Sequence, residues 1–418
     1  MLDIEVIRKS PALVRESLNK RNNKQLLELF EELIKNDLEW RKLKQRTDAL
    51  RQERNVLSKK INQAKNIPQK INGIERKLQK LRQKIDSALL VLPNILHESV
   101  PTGFGEGENV EVKRWGSIKK PSFELKHHGS LAVSLGLADF ERAVKIAGSG
   151  FYFLKAELAL MDLALQSIAI NDLAKKGYTP VYVPFLLKRK PYEGVTALAD
   201  FENVMYKIEG QDLFLIATSE HPMAAMFLDE ILWEEELPIK LCGISACFRR
   251  EIGKHGLDER GLFRVHQFNK IEQFVFCRAE DSQKFHEELL ANSEWVLQQL
   301  DIPYRVVNVC SGEIGQLAAK KYDVEAYSPR EDRFIEVMSC SNCTDYQANS
   351  LNIRYRKKGS MEKESVHTLN NTEIATARVL RLILEHYQTH EGSLKVPKVL
   401  QPFLNGLREI TPKQGVRK

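Results

Sequence analysis

Two matched runs of heptad-spaced side chains, separated by a proline, constrain this chain more than any other feature. Trp40, Leu43, Thr47, Leu50, Arg54, Leu57 and Ile61 recur at alternating steps of three and four residues, the seam of a coiled coil. Asn66-Ile67-Pro68 interrupts the pattern, because proline lacks a backbone donor and disfavours helix in the residue before it. The seam resumes with Ile71, Ile74, Leu78, Leu81, Ile85, Ala88 and Leu92, then stops at Pro93. A short break between two matched seams predicts an antiparallel helical hairpin. A first helix of about 40 residues would be about 60 Å long at 1.5 Å per residue.

Charge sharpens this reading. Residues 41–90 hold 15 Lys and Arg against 4 Asp and Glu, whereas the whole 418-residue chain nets only +7, so the remainder is slightly acidic. Both halves of the hairpin contribute: Lys42, Lys44, Arg46, Arg51, Arg54, Lys59 and Lys60 on one side, Lys70, Arg76, Lys77, Lys80, Arg82 and Lys84 on the other. A localised excess of one sign suits a polyanion such as nucleic acid. A solvated structural hairpin or a dimerisation coil is the plainer alternative, and the charge alone leaves it open. The hairpin has too few aromatics to stack bases, so contacts to a nucleic acid would be to phosphate and shape.

No segment approaches the roughly 18 apolar residues of a membrane span, and Met1-Leu-Asp-Ile-Glu5 lacks the layout of a secretory signal. A cytoplasmic protein without membrane contact is expected. The six cysteines are scattered through the chain, as reduced thiols would be. Cys340-Ser-Asn-Cys343 has the spacing of half a zinc site, but no second CxxC or HxxxH completes it, and no structural zinc is expected.

From Leu92 onward prolines, glycines and the stretch Gly103-Phe-Gly-Glu-Gly-Glu108 mark a linker. We expect an N-terminal domain over 1–105 and a second domain over 106–418. In the latter, helical periodicity (Leu154 to Lys175) alternates with β-rich runs such as 178–183, 213–216 and 273–276, without a βαβ rhythm. Neither GxGxxG nor GxxxxGK[ST] occurs. The pattern predicts an α+β fold on an antiparallel sheet flanked by helices, and argues against P-loop and Rossmann nucleotide binding.

Three clusters there could carry chemistry. The first is Thr218-Ser219-Glu220-His221 after an apolar strand, a composition that a capped helix start also has. The second runs from Cys247-Phe-Arg-Arg-Glu251 through a glycine-bearing loop to Gly261-Leu-Phe-Arg-Val-His-Gln-Phe268 and Glu272. It reads as strand, charged loop and return strand, bringing Arg249, Glu251, Arg264 and His266 near one another, where two arginines can hold phosphate oxygens bidentately. A salt-bridged surface hairpin has the same composition. The third joins Glu336-Val-Met-Ser339 with Asn370 to Arg378, where Asn370 can cap a helix carrying Arg378 about two turns in.

In this order the clusters resemble the three signature motifs of class II aminoacyl-tRNA synthetases, and specifically the seryl-tRNA synthetase family. The likeness spans the chain: Met1-Leu-Asp-Ile4, the basic hairpin, Gly177-Tyr-Thr-Pro180 with Pro184 as motif 1, 247–268 as motif 2 and 370–378 as motif 3. Ala217-Thr-Ser-Glu-His-Pro222 and Cys340-Ser-Asn-Cys-Thr-Asp-Tyr346 look like the archaeal branch. The resemblance implies ATP-dependent attachment of serine to serine tRNA through a seryl-adenylate, with selenocysteine tRNA left open as a second acceptor. The rival is a non-catalytic tRNA-binding paralogue.

The resemblance also assigns residues. Arg249, Glu336 and Arg378 would be catalytic. ATP would be held by Arg249, Arg250, Glu251, Arg264, Val265, Phe268, Glu336, Val337, Met338, Ser339 and Arg378. In that set Arg249 serves the α-phosphate, Glu251 and Val265 the adenine region, and Arg264 the terminal phosphates, with the base between Phe268 and Arg378. Glu336 and Ser339 would face Mg²⁺. Serine would meet Thr218, Ser219, Glu220, Arg249, Glu272, Asn370 and Thr372, its hydroxyl at Glu272 and Thr372. The hairpin would grip the long variable arm of the tRNA, and motif 1 would join a homodimer in which one subunit's arm presents tRNA to the other's active site. Only 40 residues follow Arg378, too few for a separate anticodon-binding domain.

The chain departs from the family pattern at three places. Asn349-Ser350 stand where two arginines are usual, Ala246 where proline is usual, and Glu373 where a small residue is common. A carboxylate at 373 would repel phosphates unless it points away.

Overall fold

The computed structural model describes residues 1–57, 67–197, 204–251 and 261–412. They form two compact units, 1–96 and 97–418.

The first unit opens with helices α1 (Ile4–Lys9) and α2 (Pro11–Lys20), then two long helices, α3 (Lys24–Leu57) and α4 (Ile67–Val91). Asp3 caps α1 by accepting from the Glu5 N–H at 2.8 Å. The buried Asp37 of α3 takes Arg8 of α1 in a two-pronged ion pair (2.6 and 3.1 Å) and Arg41 one turn along. Arg51 pairs with Glu75 and Glu32 with Lys84, so α3 and α4 run antiparallel, as the paired seams require. Leu33, Thr47, Ile71, Leu81, Ile85 and Ala88 are buried along the seam. Thr47 is tolerated there because its hydroxyl donates to the Leu43 carbonyl at 2.9 Å. Pro68 lies in the first turn of α4, where the missing N–H has no helical partner to lose.

The described part of α3 is 34 residues, about 50 Å at 1.5 Å per residue. One expectation about the arm changes. Arg54 is exposed and belongs to the basic surface instead of the seam. Ile61, Lys59 and Lys60 lie outside the described residues. Lys42, Arg46, Arg51, Lys70, Arg76, Lys77, Lys80, Arg82 and Lys84 are exposed, and Lys44 is half-buried.

The first compact unit ends at Leu96, within the expected 1–105 domain. His97 N–H donates to the Ala319 carbonyl (2.9 Å), Ser311 N–H to the Pro101 carbonyl (2.9 Å) and Gly103 N–H to Ser311 Oγ (3.2 Å), so the linker is laid onto the second unit. Gly103 permits this, since a Cβ there would fall 2.9 Å from Cys310 Cβ.

The second unit is built on an eight-stranded sheet: β1 (Val110–Trp115), β2 (Thr179–Tyr182), β3 (Ile239–Phe248), β4 (Gln267–Cys277), β5 (Tyr304–Asn308), β6 (Lys320–Ser328), β7 (Arg333–Thr344) and β8 (His367–Ala375). Their spatial order is β1-β5-β6-β7-β8-β4-β3-β2, antiparallel throughout except for the β2–β3 pair. The rear face carries helices α6 (Ala156–Lys175), α8 (Ser282–Gln299) and α10 (Thr376–His386) over the main core, into which Ile271, Val275 and Cys277 of β4 point. The alternate residues Phe274 and Phe276 enter a second core on the front, as the two-residue period of a strand demands. That front core also takes residues adjoining α7 (Glu220–Ala224) and α9 (Tyr346–Ser350). The helical turn expected between Asn370 and Arg378 is not there. Asn370 lies within β8, paired to Ser341 of β7 and Phe274 of β4, and α10 begins only at Thr376. A strand hydrogen-bonded on both sides satisfies its backbone without a cap.

Candidate active site

The part of the front face left uncovered is a deep cleft. Of the expected ATP residues, Arg249, Glu251, Arg264, Val265, Phe268, Glu336, Val337, Met338, Ser339 and Arg378 line it, and Thr372 does so at one end. Arg249, at the end of β3, has its guanidinium 5.3 Å from the Phe268 ring centre on β4, with its N–H bonded to the His266 carbonyl. Arg378, in the first turn of α10, donates to the Glu336 backbone carbonyl (3.1 Å) and carboxylate (3.2 Å) on β7. Enclosure pushes the Glu336 carboxyl up, but Arg378 and Lys321 outweigh this and hold it below its ordinary value. The cleft thus offers four guanidiniums, those of Arg249, Arg264, Arg333 and Arg378, and an aromatic face to a polyanion with a planar base.

Arg250 does not line the cleft. It is exposed, and its backbone N–H is bonded to the Val204 carbonyl. His266 turns aside too, pairing Nδ1 with the Tyr206 hydroxyl at 2.5 Å and stacking on Phe151.

The expected serine residues form a second group. Thr372 of β8 lies directly across from Glu272 of β4, and its hydroxyl donates to Glu272 Oε2 at 3.2 Å. Glu220, at the start of α7, accepts from Gln347 Nε2 (2.8 Å) and Asn370 Nδ2 (3.1 Å). Burial, then the neighbouring Glu272, pushes the Glu220 carboxyl up to about 7, against the pull of Lys270. Thr218 is buried and accepts from the Glu220 N–H. Ser219 is turned away: it is fully buried and its hydroxyl faces the Gly243 carbonyl of β3 at 3.5 Å. The strand-to-helix turn points neighbouring side chains in opposite directions, so 218–220 cannot act as one block.

Lys270, Gln347, Phe263, Lys321 and Asp323 belong to the site but were not singled out from sequence. Lys270 lies two residues before Glu272, on the same strand face, and its ammonium is 2.5 Å from Glu272 Oε2. Strand alternation was a signal that could have found it. Gln347 had no such signal, since α9 meets Glu220 only in three dimensions. Lys321 and Asp323 pair at 3.0 Å beside Ser339.

Glu373 points away from the cleft. It is the extra residue of a bulge between Thr372 and Ile374, wholly buried behind the sheet, and accepts from Gln273 Nε2 at 2.7 Å. Burial pushes its carboxyl well above the ordinary range. Asn349 and Ser350 sit on α9 outside the cleft, with Asn349 buried and the Ser350 hydroxyl on the Tyr346 carbonyl. Ala246 lies in β3, paired with Asn269.

Among the described residues no group of three His, Cys, Asp or Glu converges as a metal cage. Cys340 and Cys343 are buried thiols, one on the His286 carbonyl and the other receiving Asn370 Nδ2. Glu336 and Ser339 supply one carboxylate and one hydroxyl to the cleft. That sparse set suits Mg²⁺, which takes most of its ligands from water and phosphate.

An antiparallel sheet backed by helices, with an arginine-lined cleft opened between motif 2 and motif 3, defines a class II aminoacyl-tRNA synthetase. Residues 204–387 match the tRNA synthetase class II core domain (G, H, P, S and T), and residues 1–96 match the seryl-tRNA synthetase N-terminal domain. The chain belongs to the seryl-tRNA synthetase family. It is 54% identical to a serine–tRNA ligase of Methanocella arvoryzae, over 98% of this chain and 100% of that one. With that of Thermococcus onnurineus the identity is 44%, over 99% and 97%. Among solved structures, the Pyrococcus horikoshii seryl-tRNA synthetase complexed with ATP has a TM-score of 0.96 and 42% identity, covering 99% of this chain and 100% of that one. The cytoplasmic serine–tRNA ligase of Naegleria fowleri with AMP has 0.92 and 39%, covering 99% of each.

Proposed function

We propose that this chain joins serine to tRNA in two steps, with ATP in the cleft and serine at the Glu220–Glu272–Thr372 end. The observation that carries this is the continuity of the two groups: Thr372 lines the cleft and also bonds Glu272. The serine carboxylate attacks the α-phosphorus of ATP, the bond to the β-phosphate oxygen breaks, and pyrophosphate leaves. A carboxylate is already anionic, so no general base is needed. The work of the chain is to align the reactants and neutralise charge on the phosphoryl oxygens. Arg249 does this at the α-phosphate, and Arg264 at the terminal phosphates. Phe268 and Arg378 flank the adenine, with Glu251 and Val265 at its edge. Glu336 and Ser339 would hold Mg²⁺, which when bound offsets phosphate charge. Glu220 receives the serine ammonium, and Glu272 with Thr372 the hydroxyl.

In the second step the tRNA 3′-hydroxyl attacks the seryl carbonyl and AMP leaves. The basic arm binds the long variable arm of serine tRNA, the enzyme works as a homodimer in the cytoplasm, and motif 1 on β2 forms the dimer contact. No helix among the described residues is long and apolar enough to cross a membrane.

The test is ATP–pyrophosphate exchange with Mg²⁺ and serine, alanine or threonine. Exchange with serine alone supports the reading. A site whose buried groups await a hydroxyl rejects alanine by roughly 10⁴ to 10⁵, because Glu272 and Thr372 would be left unpaired. No exchange with any of the three would favour the non-catalytic paralogue.

A further inference from the structure

Beside the cleft lies a buried chain of polar groups that neither step uses. It starts at His128, which opens helix His128–Ser134 and is 1% exposed. His128 Nε2 accepts from the backbone N–H of Leu262 at 3.1 Å. A ring nitrogen that accepts carries no proton, so the neutral ring bears its proton on Nδ1. The charged partner on that side is Glu385, 3.7 Å away. Glu385 in turn accepts from Arg381 Nε (2.9 Å) and the Ser328 hydroxyl (2.5 Å), and Arg381 also bonds Glu331. Burial keeps the His128 ring neutral, outweighing the pull of Glu385, with Arg381 and Arg330 acting in the same sense as burial.

This chain meets the cleft at one residue. The fully buried Arg381 guanidinium lies 4.5 Å from the Phe263 ring centre, and the Arg378 guanidinium lies 5.4 Å from the same centre. Phe263, Arg264 and Val265 all line the cleft, and all lie just past the Leu262 N–H that His128 holds. Gly261 makes the hold possible: a Cβ there would come within 2.1 Å of His128 Nε2. The serine-side carboxylates have other partners, Gln347 and Asn370 for Glu220, Lys270 and Thr372 for Glu272.

We infer that His128 is a positioning residue for the ATP half of the site. It pins 261–265, while Arg381, oriented by Glu385, supports Phe263 and through it the adenine-side Arg378. The inference rests on the reading that the cleft takes ATP. It predicts that damage to the chain separates the two substrates.

The experiment uses the full chain, with ATP–pyrophosphate exchange measured for wild type, His128→Leu and His128→Gln. Leucine fills the space but cannot accept the Leu262 N–H, whereas the glutamine amide oxygen can. With one buried hydrogen bond lost, KM for ATP in His128→Leu rises about tenfold, KM for serine stays within about twofold, and His128→Gln recovers most of the loss. Equal rises in both KM values, a fall in kcat alone, or no recovery in His128→Gln would overturn the inference. Should His128→Leu not fold by thermal melting, Phe263→Leu carries the same ATP-only signature. Normal ATP kinetics in wild type and His128→Leu alike sink the positioning role alone. A wild type that neither binds ATP nor exchanges sinks the ATP reading and takes the inference with it.

Discussion

Glu220 and Glu373 show how place decides the task of a buried carboxyl. Both are pushed up by burial, Glu220 to about 7 and Glu373 well above the ordinary carboxylate range. Glu220 faces the end of the site proposed for serine, where it would have to be ionised to receive an ammonium. Below about pH 7 the free enzyme holds it largely neutral, so kcat/KM for serine should rise with pH through about 7. A pH series of the exchange reaction checks this, and Glu220→Gln should lose the rise along with most of the activity. Glu373 instead bonds Gln273 on the helix side of the sheet. Its folded pKa lies above the unfolded value of about 4.3, so the unfolded chain sheds this proton first as pH rises. The stability it contributes is present below that value and is lost progressively above it. Relative to Glu373→Gln, the wild type should therefore lose stability as pH rises above about 4.3, while exchange activity stays equal. Denaturant midpoints over a pH series test the point, and a constant difference would refute the raised carboxyl.

At the scale of the element, the arm and the sheet divide the work. The arm's seam is mostly apolar and its outer surface carries an excess of positive charge, so binding should depend steeply on salt, each neutralised phosphate adding about −0.9 to the logarithmic slope for duplex nucleic acid. The combined variant Arg46→Ala, Arg76→Ala, Lys77→Ala and Lys80→Ala removes four exposed cations. It should raise KM for tRNA more than tenfold and flatten the salt slope by about one per lost phosphate contact. Serine-dependent exchange, which needs no tRNA, should not change. Filter binding and aminoacylation over a salt series would show both effects. An exchange defect would mean that the arm serves the catalytic unit in some other way. In the sheet, the bulge at Thr372–Ile374 lets one strand turn Thr372 to the cleft and Glu373 to the rear core.

At the scale of the whole molecule, the outermost strand of the sheet is the part left unexplained by a single chain. β2 ends the sheet beside β3, and its Tyr182 is 79% exposed, with Phe185 also exposed just beyond. An edge strand with large apolar side chains invites a partner, in keeping with the proposed homodimer through motif 1. Tyr182→Asp should shift the protein toward half the wild-type mass in light scattering, and cut exchange activity as the subunits part. Unchanged mass in a wild type that is already monomeric would remove the dimer.

Sequence alone determined what is written in local periodicity and in the order of motifs. Heptad spacing and Pro68 made the hairpin legible, because a helix repeats its burial every three or four residues of one segment. The missing P-loop and Rossmann glycines left an antiparallel α+β sheet. The run Cys247–Phe268 marked the cleft, since several charged residues sit in a short span of chain. Only the tertiary structure decided which side chains meet. Thr372 and Glu272 are a hundred residues apart and become partners through strand register. Gln347 reaches Glu220 from another helix, and His128 holds Leu262 across more than 130 residues. Asn370, read as a cap, is a strand residue because β4 and β7 flank it. The face that Glu373 takes was equally hidden. A bulge changes which residues share a face, and nothing in a one-dimensional pattern states where the register shifts.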